Sequence, residues 1–286
     1  MIRPNLPTNI QKPLKQAVAN SAFERLARLG YAAKGVVYFV VGFLAAQAAF
    51  GVGGKTTDTR GALETIVSQP FGKFLLSILT VGLIGYALWR LVETIYDPEH
   101  SGQARDTKHT AKRLGYGFSA LAYGGLALTA VKLIIGSGKD SGNSTQDWTA
   151  KLLAQPFGQL LVGLVGVIVT GVGIYYLYEA YKCKFRGNFK LQEMSANEQT
   201  WAIRTGRFGI ASRGVVFSII GFFLIQAAHQ SDPSQAKGLG EALATLAKQP
   251  FGPWILGLVA LGLIAYGIYS LVEARYRKIT NSNVRI

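Results

Sequence analysis

The chain has 286 residues, 49% hydrophobic and only 16% charged, with 34 glycines and a formal net charge of +15. Soluble domains carry about a quarter charged residues, and the mean hydropathy of +0.25 averages apolar blocks with polar connectors. A single cysteine, Cys183, excludes an intrachain disulfide, and His100, His109 and His229 are scattered without ligand spacing, so neither an oxidising compartment nor a metal or other cofactor is expected.

Residues 1–27 are polar, contain Pro4, Pro7 and Pro13, and lack the apolar core of a signal peptide. Their last part begins at Ser21-Ala-Phe-Glu24, a capping-box spacing, and sets Phe23, Leu26 and Leu29 beside Arg25 and Arg28. That pattern suits an amphipathic helix in the cytoplasmic membrane interface. Apolar runs follow at about 31–50, 71–92, 114–135, 157–178, 208–228 and 251–272, each near the ~20 residues that cross a bilayer as a helix. Six such runs need more burial than a soluble chain of this size provides, and backbone in hydrocarbon must satisfy itself. The expected fold class is therefore an all-α membrane protein of six transmembrane helices in three hairpins, with short interfacial helices. The short helix-formers are Gly61–Val67, Trp148–Ala154 and Glu241–Ala247; a second capping box, Ser195–Glu198, precedes the fifth run beside Trp201 and Ile203.

These pieces recur in order. Gln-Pro-Phe-Gly appears at Gln69–Gly72, Gln155–Gly158 and Gln249–Gly252, with a glycine (Gly30, Gly115, Gly209) 39 or 40 positions upstream and a glutamate (Glu93, Glu179, Glu273) 24 positions after the Gln. One two-span unit has been triplicated. The expected divisions are an N-terminal segment 1–27, repeats at 28–98, 113–181 and 207–276, and a tail 277–286. Pro70, Pro156 and Pro250 are expected to open the return spans, where a missing N–H costs nothing. Phe71, Phe157 and Phe251 would anchor them at the interface, and Gly72, Gly158 and Gly252 would let the short helix approach. The motif (Gln69, Gln155 and Gln249 included) reads as structural, with substrate contact as the other reading.

Of the 30 Lys and Arg residues, 22 fall on the side holding the termini; the other side holds Lys55, Arg60, Lys73, Lys139, Lys151, Lys237 and Lys248, and Lys132 lies within a span. Both termini are therefore expected in the cytoplasm, with the excess charge facing anionic lipid. Nucleic-acid binding is not expected, since the basic residues straddle apolar spans instead of forming one stripe. Small residues within the spans, such as Gly42, Gly82, Gly166 and Gly262, favour tight helix packing. Matched aromatics occur at Tyr38, Tyr123 and Phe217 and at Trp89, Tyr175 and Tyr269; the second set is expected to form an interfacial belt.

One charged constellation breaks local rules. Glu93, Glu179 and Glu273 end the return spans, where an anion opposes the helix dipole, and Lys34 and Arg213 are cations in the first turns of outbound spans. Lys34–Glu93 and Arg213–Glu273, each within one hairpin, are the expected pairs. The second repeat departs: Ser119 replaces the cation, and Lys132 appears farther along the span. The structural reading makes the pairs staples, Lys132 a snorkelling residue and Glu179 a partner for a cation of the next repeat. The functional reading makes Glu179 and Lys132 line a polar path. No nucleophile elbow or phosphate loop occurs, and enzymatic activity is not expected.

The stretches Arg28-Leu-Gly-Tyr-Ala-Ala-Lys-Gly-Val-Val-Tyr38, Gln69–Gly72 and Gly82-Leu-Ile-Gly-Tyr-Ala-Leu-Trp-Arg-Leu-Val-Glu93 resemble a bacterial integral membrane family built from three tandem two-span modules and known as a domain of unknown function. The third copy is similar, with Arg207–Phe217 and Gly262–Glu273, and the second is weaker at Ser119. The resemblance implies a six-span protein of the bacterial inner membrane and carries over no catalytic residue. The functional expectation is a scaffold or accessory subunit that binds lipid or other membrane proteins; the alternative is a small transporter or channel for a proton, ion or solute.

Overall fold

A computed structural model of the chain describes residues 21–96, 107–137 and 144–279. Most of the 1–27 segment, the 97–106 connector and most of the 277–286 tail lie outside the described residues. Six long helices are apolar and long enough to cross a bilayer: α1 Ser21–Ala49, α3 Gly72–Tyr96, α4 Thr107–Ile134, α6 Gly158–Lys182, α7 Ala196–Gln230 and α9 Gly252–Tyr276. Three short helices, α2 Thr59–Val67, α5 Ser144–Leu153 and α8 Leu239–Ala247, fill the far-side connections. The fold is all-helical, as the six apolar runs require.

The amphipathic lead-ins are not separate interfacial helices. Ser21 and Ala196 begin helices that run without interruption into the spans. At 1.5 Å per residue the 35 residues of α7 extend roughly 50 Å, well beyond a hydrocarbon core of about 30 Å. The Ser195 capping box is present, with the Glu198 carboxylate accepting from Ser195 N at 2.8 Å and Ser195 Oγ accepting from Glu198 N at 3.3 Å.

The spans follow one another around a ring in the order α1, α3, α4, α6, α7, α9 and back to α1, and five of the six joints are packed: α1–α3, α3–α4, α6–α7, α7–α9 and α9–α1. The sixth would join α4 to α6, the two spans of the middle repeat, and among the described residues they form no comparable packing. Two substitutions within the repeat account for this. In the first hairpin a Cβ on Gly82 would meet the Ala33 Cβ at 2.6 Å; in the third, one on Gly262 would meet Ser212 Oγ at 1.7 Å. Small residues on both helices let these backbones touch. The equivalent pair in the middle repeat is Phe118 and Ile168, which cannot occupy that space, and they stand 64% and 45% exposed.

Each Gln-Pro-Phe-Gly segment is a turn followed by a helix start. Gly72 N donates to Gln69 O at 2.8 Å, Gly158 N to Gln155 O at 2.9 Å, and Gly252 N to Gln249 O at 2.7 Å. Phe71, Phe157 and Phe251 have φ of 61°, 62° and 59°, the position that glycine favours in a type II turn. The return helices thus begin at the glycine, and Pro70, Pro156 and Pro250 occupy the turn rather than the first helical position expected for them. The glycine is required: a Cβ at Gly72 would lie 2.3 Å from Ile66 O, and one at Gly252 2.0 Å from Ala247 O. The three phenylalanines project outward and are exposed.

At the opposite end, the connector after α6 is clasped to the end of α9. Lys190 N donates to Tyr276 O at 2.8 Å and Lys278 N to Asn188 O at 3.0 Å. Phe185 and Phe189 are buried edge-on against Tyr269, with centroids 5.4 and 5.7 Å away.

Candidate functional site

The end of the ring where α1 begins and α3 and α9 finish carries most of the buried charge. Two arginines first tie the helices there. Arg28 of α1 donates from Nη1 to Ala274 O at 2.9 Å and Arg275 O at 2.5 Å, capping the open carbonyls of α9. Arg113 of α4 donates from Nε to Thr94 O at 2.7 Å and from Nη2 to Ile95 O at 2.8 Å, capping α3. The repeats also align Arg207 with these two, but it is exposed. There α6 ends instead on Cys183 in the left-handed region, whose N–H donates to Ala180 O.

Inside this end lies a chain of ions alternating in sign. Lys34 Nζ is 2.9 Å from Glu273 Oε2, Arg277 Nη1 is 2.5 Å from Glu273 Oε1, Arg277 Nη2 is 3.4 Å from Glu93 Oε1, and Arg90 Nη1 is 2.6 Å from Glu93 Oε2. Lys34 is 1% exposed and lies 4.9 to 5.2 Å from the rings of Tyr31, Tyr86 and Tyr266. Arg90 also donates to the Tyr86 hydroxyl from Nε at 2.8 Å and from Nη2 at 2.6 Å. Each carboxylate is held by two cations, which leaves neither free as a metal ligand. A buried ion removed from water is tolerable only with this degree of pairing.

The pairing differs from the expectation. Lys34 meets Glu273 of the third repeat, not Glu93 of its own, and Glu93 goes to Arg90 and Arg277. The reason is geometric: Lys34 lies one residue before Gly35, which packs against Gly267 O on α9, so the nearest helix end is that of the preceding unit around the ring. Arg213 does not meet Glu273 either. Its guanidinium donates from Nη1 to the Tyr266 hydroxyl and sits 4.9 to 5.3 Å from the rings of Tyr38, Tyr176, Phe217 and Tyr266. Among the described residues no carboxylate lies within 4.0 Å of it. Arg213 Nε and the Tyr123 hydroxyl are buried without a hydrogen-bond partner there.

Glu179 is half-buried at the end of α6, and Lys132 is exposed in the last turn of α4, toward the other end of the ring. Between these levels, side chains from all six spans converge: Tyr38, Tyr86, Tyr123, Tyr176, Phe217 and Tyr266. Tyr86 and Tyr123 meet edge-on at 4.5 Å, Tyr38 and Tyr266 at 4.9 Å. The expected aromatic belt is also redrawn. Trp89 and Tyr269 are 0% and 3% exposed, inside the helix joints, and only Tyr175, on the open middle repeat, faces outward at 41%. The capping arginines are legible as Arg-Leu-Gly, Arg-Leu-Gly and Arg-Phe-Gly ahead of each outbound span, but that pattern suggests interfacial charge and a shared repeat, not a cap on a neighbouring helix. Arg277 lies beyond the last span and offered no such signal.

A family described as Domain of Unknown Function (DUF1206) matches residues 29–97, 114–182 and 208–277. An uncharacterized protein of Bacillus subtilis (strain 168), YxxB, is 39% identical over 257 residues, covering 90% of this chain and 92% of its own length. No solved structure matches the chain.

Proposed function

The chain belongs to the DUF1206 family, whose domain of unknown function occurs in it three times, and from that premise we propose that it is a non-enzymatic scaffold or accessory subunit of the bacterial cytoplasmic membrane. In this reading both termini and the buried charge network lie on the cytoplasmic side, where the basic connectors meet anionic lipid. Its partners are lipid and other membrane proteins. The observation that carries the reading is the filled centre of the ring. Buried Tyr38 against Tyr266 and Tyr86 against Tyr123 fill it from four helices, and the ions at its end are bound to one another instead of facing water. A path past Glu179 and Lys132, the alternative, has to cross that plug.

The test is reconstitution into sealed liposomes under a proton or potassium gradient. The scaffold reading expects dissipation no faster than in empty liposomes, with Glu179→Gln and Lys132→Met making no difference. Flux that falls in either variant, with expression retained, would transfer the protein to the transporter class. Labelling of single cysteines near positions 60, 145 and 240 in a Cys183→Ser background checks the orientation; those sites should react from outside the cell.

A further inference from the structure

We infer that the open joint of the middle repeat is a binding site for one anionic phospholipid, with its phosphate on Arg213 and its acyl chains between α4 and α6. The inference rests on the scaffold reading and gives that scaffold a specific ligand. It starts from the face that the first and third hairpins bury and the middle one leaves open. Phe118 on α4, and Ile168 and Tyr175 on α6, are exposed, whereas the equivalent residues of the other two hairpins, Ala33, Gly82 and Trp89 and Ser212, Gly262 and Tyr269, are buried. Within the thickness of the spans, the solvent of such a face is hydrocarbon, and two apolar walls that do not meet are filled by acyl chains.

Charge selects the headgroup. Lys34 and Arg213 occupy the same position of their repeats. Lys34 is sealed in and neutralised by Glu273. Arg213 keeps partial exposure, and its contacts are a tyrosine hydroxyl and the faces of aromatic rings. Helix α7 is packed on one side by α6 and on the other by α9, and Arg213 and Phe217 on it are half-buried; the proposed headgroup reaches them through the α4–α6 opening. Arg213 Nε and the Tyr123 hydroxyl are two buried donors without acceptors, and burying a donor unpaired is unfavourable. A phosphodiester supplies oxygens for both and a negative charge for the guanidinium, and a headgroup without a cation of its own, unlike choline, sets no second positive charge beside Arg213. Arg213 lies in the first turns of its apolar run, at the level where the headgroups of the basic-side leaflet begin. The middle repeat thus lacks the interhelical contact of its neighbours, while the third repeat keeps the cation that the second lacks.

Full-length protein purified in mild detergent can be titrated with dioleoyl phosphatidylglycerol or dioleoyl phosphatidylcholine and read by native mass spectrometry. One phosphatidylglycerol should bind at least about tenfold more tightly than phosphatidylcholine, and Arg213→Gln should abolish that preference. The double variant Phe118→Ala/Ile168→Gly leaves Arg213 intact and closes the opening, and it should lose the bound lipid as well, which covers the case in which Arg213→Gln fails to fold. Equal affinity for the two lipids, or a preference unchanged in both variants, overturns the site. Displacement of phosphatidylglycerol by millimolar inorganic phosphate would show a free-anion site instead, and a lipid-free dimer would show that a second copy fills the opening; either result also overturns it. The liposome flux assay separates this failure from that of the scaffold reading. Loss of lipid preference without flux removes only the lipid site, whereas flux removes the scaffold reading whatever the lipid result.

Discussion

The middle hairpin and its two neighbours descend from one unit, yet only the neighbours close. In the first and third repeats a small residue on the outbound span meets a glycine on the return span; in the second, Phe118 and Ile168 stand there instead. The neighbours also supply all the buried ions of the network, from α1, α3 and the end of α9, while the middle repeat has Ser119 in the place of Lys34. The comparison teaches that a repeated topology does not need repeated interfaces. Five closed joints hold the ring, which leaves the sixth free for another use.

That view can be broken most forcefully at the network. Glu273→Ala would leave Lys34 and Arg277 buried without their shared carboxylate, and a loss of about 3–5 kcal/mol is expected. Glu179→Ala on the open side should cost well under half as much. Reversible unfolding in mixed micelles compares the two, and equal losses would mean that the middle repeat is as tightly integrated as the others. Next in size, Gly82→Ile imposes the middle repeat's residue on the first hairpin. Overpacking there should cost about 1–3 kcal/mol and expose Trp89, which fluorescence quenching by brominated lipid would report; unchanged quenching would count against the small-residue account of closure.

A similar contrast separates the capping arginines. Arg113→Ala leaves the Thr94 and Ile95 carbonyls without their cationic donor, for an expected loss of about 1–3 kcal/mol, whereas exposed Arg207→Ala should fall within about 0.5 kcal/mol of the parent. Smallest is the effect of Phe71→Gly. It relieves a left-handed phenylalanine, a conformation unfavourable by about 1–2 kcal/mol, and the more flexible unfolded chain takes back part of that gain. A net stabilisation below about 1 kcal/mol is expected, and the same change at Phe157 should match it, since the turn has the same geometry in all three repeats. A clear destabilisation would show that the phenyl ring contributes more than the turn costs it.

Much of the fold was legible because it depends on local composition. The six runs, the short far-side helices, the Ser195 capping box and the glycine of each Gln-Pro-Phe-Gly corner follow from hydropathy, spacing and the space a Cβ needs. The site was half legible. Lys34, Arg213, Glu93, Glu179 and Glu273 stand out because they oppose helix dipoles, and three of the five enter the buried network described above. Their partners could not be read, because pairing within a hairpin and pairing around the ring place the same residue types at the same membrane face. Only the position of α9 against α1 distinguishes them. Trp89 and Tyr269 fit an interfacial belt on depth alone, but depth along a helix says nothing about which way a side chain points.

By itself the sequence determined a triplicated, all-helical chain with six spans and its cations gathered on one side, because hydrocarbon permits no unpaired backbone and the repeat markers carry no ambiguity. The tertiary structure decided which helix neighbours which, that Glu273 rather than Glu93 neutralises Lys34, and that one joint stays open. Those choices rest on contacts between residues far apart in the chain, 239 positions for Lys34 and Glu273, where a side chain's fate is set by the neighbour it meets and not by the run it belongs to.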